Sequence, residues 1–191
     1  RVVPADVVMA DISAQMAAGA QHISFGDPDF FNGPTHATKI IERLRAEHPG
    51  ISYDATIKIE HLLNHAELIP VLRDTGCLFV TSAVESVDDD VLEKLAKGHT
   101  RADFVRAVAL CRDAGIALSP TFVPFTPWTT IESYWDLLST IDELDLVDQV
   151  APIQLAIRLL ITARSALLEL PEVKHGVEPF DAASLTWPWQ H

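Results

Sequence analysis

The run Gly76–Thr100, GCLFVTSAVESVDDDVLEKLAKGHT, constrains this chain more than any other stretch. An apolar segment ends in Glu85 and Ser86, an acidic helix start follows, and Lys97-Gly98 closes the helix. A unit of this kind buries its apolar run and leaves polar side chains at the strand's carboxyl end, as in a parallel α/β sheet. The rest of the chain repeats the pattern. Helical periodicity covers Pro4–Ala18, Thr35–Glu47, Glu60–Asp74, Asp88–Lys97, Arg101–Ala114 and Thr130–Leu144. Strand-like runs at Gln21–Phe25, Ile51–Ile59, Leu78–Val84, Ile116–Val123 and Val150–Ile161 alternate with them.

Five strands alternating with helices imply parallel pairing through right-handed crossovers, but they are too few to close an eight-stranded barrel. The expectation is an α/β fold, a partial (β/α) barrel of parallel strands over residues 1–161. A short helix at Thr162–Leu170 and an irregular tail would complete the chain at residue 191. The length, 191 residues, suits one domain with a sizeable core.

Charge and cysteine usage remove several function classes. A formal net charge of -13 offers no clustered basic surface for nucleic acid. No apolar run is long enough to span a bilayer, because Asp6 and Asp11 interrupt Val2–Ala20. Cys77 and Cys111 stand far apart in sequence, which gives neither a disulfide framework nor a self-contained zinc motif. A reduced, cytoplasmic setting with no nucleic-acid or membrane partner is expected.

Ligands of parallel α/β folds sit at the carboxyl ends of the strands. The residues standing there are Gly26, Asp27 and Asp29, then Lys58 and Glu60, then Ser82, Glu85 and Ser86. Thr121, Pro124 and Thr126 follow the fourth strand, and Gln154 and Arg158 the last. This mixture of carboxylates, hydroxyls and two cations suits a polar, zwitterionic ligand. A solvated rim of helix caps and turns would read the same way: Asp27 as a turn residue before Pro28, Glu85 as the cap of the following helix, and Arg158 paired with a buried carboxylate.

The same residues resemble a known family. Val84-Glu85-Ser86, Val91-Leu92-Glu93-Lys94 and Lys97-Gly98-His99-Thr100 are similar to the fourth strand and following helix of radical S-adenosylmethionine (radical SAM) enzymes. Ser24-Phe25-Gly26-Asp27-Pro28-Asp29-Phe30 resembles the family's second-strand segment, and Ala107–Ser119 its next helix and fifth strand. The likeness extends over roughly Val7–Ile161. The continuation through Pro152–Leu159 and Phe180-Asp181 is similar to a subgroup with a cysteine-bearing C-terminal tail.

The resemblance implies a S-adenosylmethionine site in which Gly26 and Asp27 receive the methionine ammonium. It implies Glu85 and Ser86 at the ribose or carboxylate end, and Arg158 on the methionine carboxylate, for which a guanidinium fork is well shaped. It implies a [4Fe-4S] cluster, an external electron donor and a small-molecule or peptide substrate modified by a 5′-deoxyadenosyl radical. The family's CxxxCxxC cluster loop does not occur in this sequence, so the first strand and the cluster ligands are expected upstream of Arg1. Phe125-Thr126-Pro127-Trp128 replaces the glycine-rich turn common after the family's fifth strand.

Two further readings stay open. Lys58, flanked by Ile57 and Ile59 on an expected strand, is a candidate Schiff-base nucleophile of an aldolase-type barrel. The chain is alternatively a non-catalytic remnant that binds a ligand without radical chemistry. His61 and His65 share a helix face but lack the glutamate of HExxH, which favours packing over metal binding. Trp128, Trp135, Trp187 and Trp189 are expected to serve core and tail packing.

Overall fold

A computed structural model describes residues 2–190 and divides the chain into two units, Arg1–Val84 with Ala102–Thr121, and Glu85–Arg101 with Phe122–His191. The first unit contains a four-stranded sheet. Helix α1 (Ala5–Ala17) leads into β1 (His22–Ser24), and α2 (Pro34–Glu47) into β2 (Ser52–Thr56). Short helices α3 (Ile59–Asn64) and α4 (Ile69–Thr75) precede β3 (Cys77–Glu85). After α5 (Asp89–Lys94), α6 (Arg101–Ala114) leads into β4 (Ala117–Phe122). Strand order is β1-β2-β3-β4, with β1–β2 and β2–β3 parallel.

Alternation decides which face of the sheet is covered. Tyr53 and Ala55 on β2, and Val80, Ser82 and Val84 on β3, are buried, while their sequence neighbours are partly open. Helix α2 packs against α1 and α4 and buries Ala37, Ile40, Ile41 and Leu44 at helical spacing. Tyr53 brings a hydroxyl into this core and shares it with Thr75 Oγ1 at 2.8 Å, also donating to the Leu72 carbonyl at 3.2 Å. Gly76 closes α4 at φ 106°, and a Cβ there would stand 2.8 Å from the Ile51 carbonyl oxygen, so only glycine fits. Pro120 lies within β4, an outer strand, where a missing N–H donor is tolerated.

In the second unit, α7 (Ile131–Glu143) starts from a reciprocal cap: Ser133 N–H donates to Thr130 Oγ1, and Thr130 N–H to Ser133 Oγ. Arg101 donates both guanidinium arms to Asp136, at 2.7 and 3.1 Å, and a further bond to Thr140 Oγ1. β5 (Ile161–Thr162) and β6 (Thr186–Trp187) form an antiparallel pair around α8 (Pro171–Gly176).

Several sequence expectations give way here. The helix expected over Glu60–Asp74 is split into α3, a 3-10 turn and α4, because Pro70 has no N–H for an unbroken ladder and takes the first turn of α4. The strand expected over Val150–Ile161 is instead a 3-10 turn at Pro152–Leu155, a single bridge between Phe125 and Arg158, and β5. Pro152 starts that turn and cannot donate to a sheet ladder. The short helix expected over Thr162–Leu170 is instead the end of β5 and a 3-10 turn at Ala166–Glu169, and the tail after Pro171, expected to be irregular, contains α8 and β6. The α/β class with a parallel four-stranded sheet stands.

Candidate functional site

Beyond β1 the chain turns at Gly26-Asp27-Pro28. Asp27 Oδ1 accepts from the Asp29 N–H at 2.9 Å, and the residue is exposed. Asp27 therefore shapes its turn and still presents a carboxylate to solvent. At Gly26 an added Cβ would meet nothing within 4 Å. Packing does not require glycine there, and the backbone is open to a ligand.

Asp29 turns inward and is 6% exposed. Its Oδ1 accepts from the Lys58 N–H at 3.3 Å, and Lys58 Nζ stands 3.7 Å from Oδ2. His61 Nδ1 lies 2.8 Å from the same Oδ2 but out of hydrogen-bonding alignment. These contacts fasten the loop after β1 to the start of α3. They also correct the reading of Lys58. It stands before α3 rather than on a strand, with its side chain 59% exposed beside a carboxylate. That solvated ammonium lacks the apolar surroundings that turn a lysine into a nucleophile.

The open face of β1 and β2 carries a polar cluster that sequence reasoning missed. The register sets His22 against Ser52 and Ser24 against Asp54. His22 Nδ1 lies 2.8 Å from Ser52 Oγ and Nε2 lies 2.9 Å from Asp54 Oδ1, while Ser24 Oγ donates to that oxygen at 2.6 Å. The signal was present as period-two alternation of polar residues on two adjacent strands.

Glu85 is the last residue of β3 and has φ 70°, a left-handed conformation unfavourable for a residue with a Cβ. Its Oε1 pairs with Lys97 Nζ at 3.3 Å, with about a quarter of the carboxylate side chain exposed (23%). Glu85 does not cap α5. Asp88 does, accepting from the Asp90 and Val91 N–H groups, while Ser86 Oγ accepts from the Asp88 N–H at 3.0 Å. Glu85 thus combines a left-handed backbone with a largely buried carboxylate paired to Lys97, and leaves the capping of α5 to Asp88.

Glu85 and Ser86 line a cavity of about 20 Å³, room for one water, with Val123, Thr126 and Tyr134. Arg158 does not line it. That residue is exposed, sits in the isolated bridge to Phe125, and lines a separate cavity of about 620 Å³ with Phe125, Thr126, Glu172, Trp189 and Gln190. Thr126 touches both. Trp135 is 71% exposed, which corrects its expected packing role.

Burial is the main cause raising the Cys77 thiol to about 12 and the Cys111 thiol to about 11. Cluster ligation takes several thiolates, and two buried thiols, one on β3 and one on α6, do not fit a [4Fe-4S] cluster. Among the described residues no group of His, Cys, Asp and Glu is placed to hold a metal ion.

The radical SAM superfamily model matches residues 1–141. The chain belongs to the radical SAM superfamily. No curated protein matches its sequence. Several solved structures share the fold. The radical S-adenosylmethionine methyltransferase TsrM from Kitasatospora setae, with cobalamin and a [4Fe-4S] cluster bound, is 20% identical at a TM-score of 0.64. That match covers 74% of this chain and 29% of TsrM. The cobalamin-dependent S-adenosylmethionine radical enzyme OxsB matches all of this chain (100%) and 35% of its own length, at 15% identity and a TM-score of 0.79. The radical SAM coproporphyrinogen III oxidase HemN of Escherichia coli is 12% identical, with a TM-score of 0.57 over 73% of this chain and 35% of HemN. The chain thus spans about a third of the length of these proteins. Among the described residues no helix is long and apolar enough to cross a membrane.

Proposed function

We propose that the protein carrying this chain is a radical SAM enzyme, and that this segment binds S-adenosylmethionine. Gly26 and Asp27 take the methionine ammonium, and Glu85 with Ser86 the ribose or carboxylate end. The observation that carries this reading is Glu85: a left-handed strand-end glutamate, not a helix cap, within the residues that the family model matches. Arg158 was expected at the methionine carboxylate, yet it lines a different cavity from Glu85 and Ser86.

A [4Fe-4S] cluster, held by cysteines other than Cys77 and Cys111, would supply the reductive chemistry, fed by an external electron donor. This chain's part is to bind and orient the sulfonium ligand and to keep water from it. The substrate is a small molecule or peptide, and the setting is cytoplasmic, with no nucleic acid or membrane involved. Anaerobic reconstitution followed by reduction tests the reading. An absorbance near ~400 nm, typical of such clusters, and release of 5′-deoxyadenosine are expected. A reconstituted, reduced protein that leaves S-adenosylmethionine uncleaved would contradict it, in favour of a non-catalytic binding module.

A further inference from the structure

The 620 Å³ cavity around Arg158 lies in the range of small-ligand sites. Of its lining, only Phe125, Thr126 and Pro127 fall inside the family-matched residues 1–141; Ala156, Arg158, Glu172, Gly176, Trp189 and Gln190 follow them. The cavity is therefore built mainly from sequence that the family model does not explain.

Its two charges are not equivalent. Glu172 is already engaged: Trp128 Nε1 donates to its Oε1 at 3.1 Å, and Lys94 stands over the Trp128 ring at 5.7 Å. Its own backbone N–H, then Trp128 and the charge of Lys94, hold its carboxyl below the usual range. Arg158 has no ion pair among the described residues, and it does not pair with Glu172. Its backbone, by contrast, is fixed from both sides: Phe125 N–H donates to the Ile157 carbonyl at 3.2 Å, and Leu159 N–H to the Phe125 carbonyl at 2.9 Å. A guanidinium with no ion pair, carried on a backbone fixed from both sides, is available to receive a carboxylate.

The apolar walls are flat and held. Phe125, 43% exposed, stacks on Tyr134 with centroids 5.4 Å apart, and the Tyr134 hydroxyl donates to the Leu155 carbonyl at 3.1 Å. Trp189 Nε1 donates to the Leu159 carbonyl at 2.6 Å. The ring lies against Gly176, where an added Cβ would be in ordinary van der Waals contact with it at 3.5 Å. Ring surfaces already ordered bind a planar ligand at low entropic cost.

We infer that this cavity is a binding site for an organic carboxylate with a planar, apolar body, the carboxylate on Arg158 and the ring against Phe125 and Trp189. The inference stands apart from the S-adenosylmethionine reading, and a methionine carboxylate is the other source of the same chemistry. The test is calorimetric titration of the protein with indole-3-acetate and with neutral indole-3-acetamide. The acid should bind about tenfold more tightly than the amide, the strength of a charge-assisted fork. Arg158→Gln should erase that preference, Arg158→Lys should restore part of it, and Phe125→Leu should weaken both probes alike. Equal affinities in the unaltered protein, or an unchanged preference in Arg158→Gln, would overturn the site. Displacement of indole-3-acetate by S-adenosylmethionine would also overturn it as a separate site, assigning Arg158 to the methionine carboxylate.

Discussion

In the unit built on β1 to β4, every second residue of β2 and of β3 from Val80 onward is buried, and α2 adds a stripe of four apolar side chains. In the unit built on α7 and the C-terminal segment, short turns are fixed by single side chains bonding to backbone. Gln154 accepts from the Phe122 N–H at 3.2 Å, Tyr134 reaches the Leu155 carbonyl, and Trp189 the Leu159 carbonyl. The first kind of order is written as a period in the sequence, the second as isolated contacts between distant residues. A core made by repetition loses much when one member is cut, whereas an assembly of pinned turns loosens where the pin is removed.

That contrast can be broken by substitution. Leu44 is fully buried in α2 (0% exposed), and Leu44→Ala should cost about 3 kcal/mol through lost transfer energy and a residual cavity. Chemical denaturation should show a lower midpoint with the slope unchanged. Trp189→Phe keeps an aromatic body and removes only the indole donor, so it should cost about 1 kcal/mol. Amide exchange should rise near Leu159 and Gly176 and stay unchanged in β2 and β3. A global loss of protection from the Trp189 change, as large as that from Leu44→Ala, would erase the distinction between the two kinds of region.

Legibility in the sequence follows the same division. The boundaries of α6 coincide with the expected Arg101–Ala114, because Phe104, Ala107, Val108, Cys111 and Ala114 recur on one helical face and Gly115 ends it. The strand expected through Arg158 was not legible, since its apolar run suits a strand and a turn equally and Pro152 alone argued against it. The place of Glu85 at the end of β3 could be read from the apolar run before it. Its left-handed backbone could not, because no glycine or asparagine marks the place. The inward turn of Asp29 was equally hidden, since its partners Lys58 and His61 lie some thirty residues on.

The central claim is that Glu85 at the end of β3 is held in strain in order to meet S-adenosylmethionine. Titrating the protein with S-adenosylmethionine, unaltered and as Glu85→Gln, tests it most directly. The substitution keeps the shape and removes the charge, so the dissociation constant should rise about tenfold while the unfolding midpoint barely moves. An unchanged dissociation constant would contradict the account and leave Glu85 as no more than the ion-pair partner of Lys97.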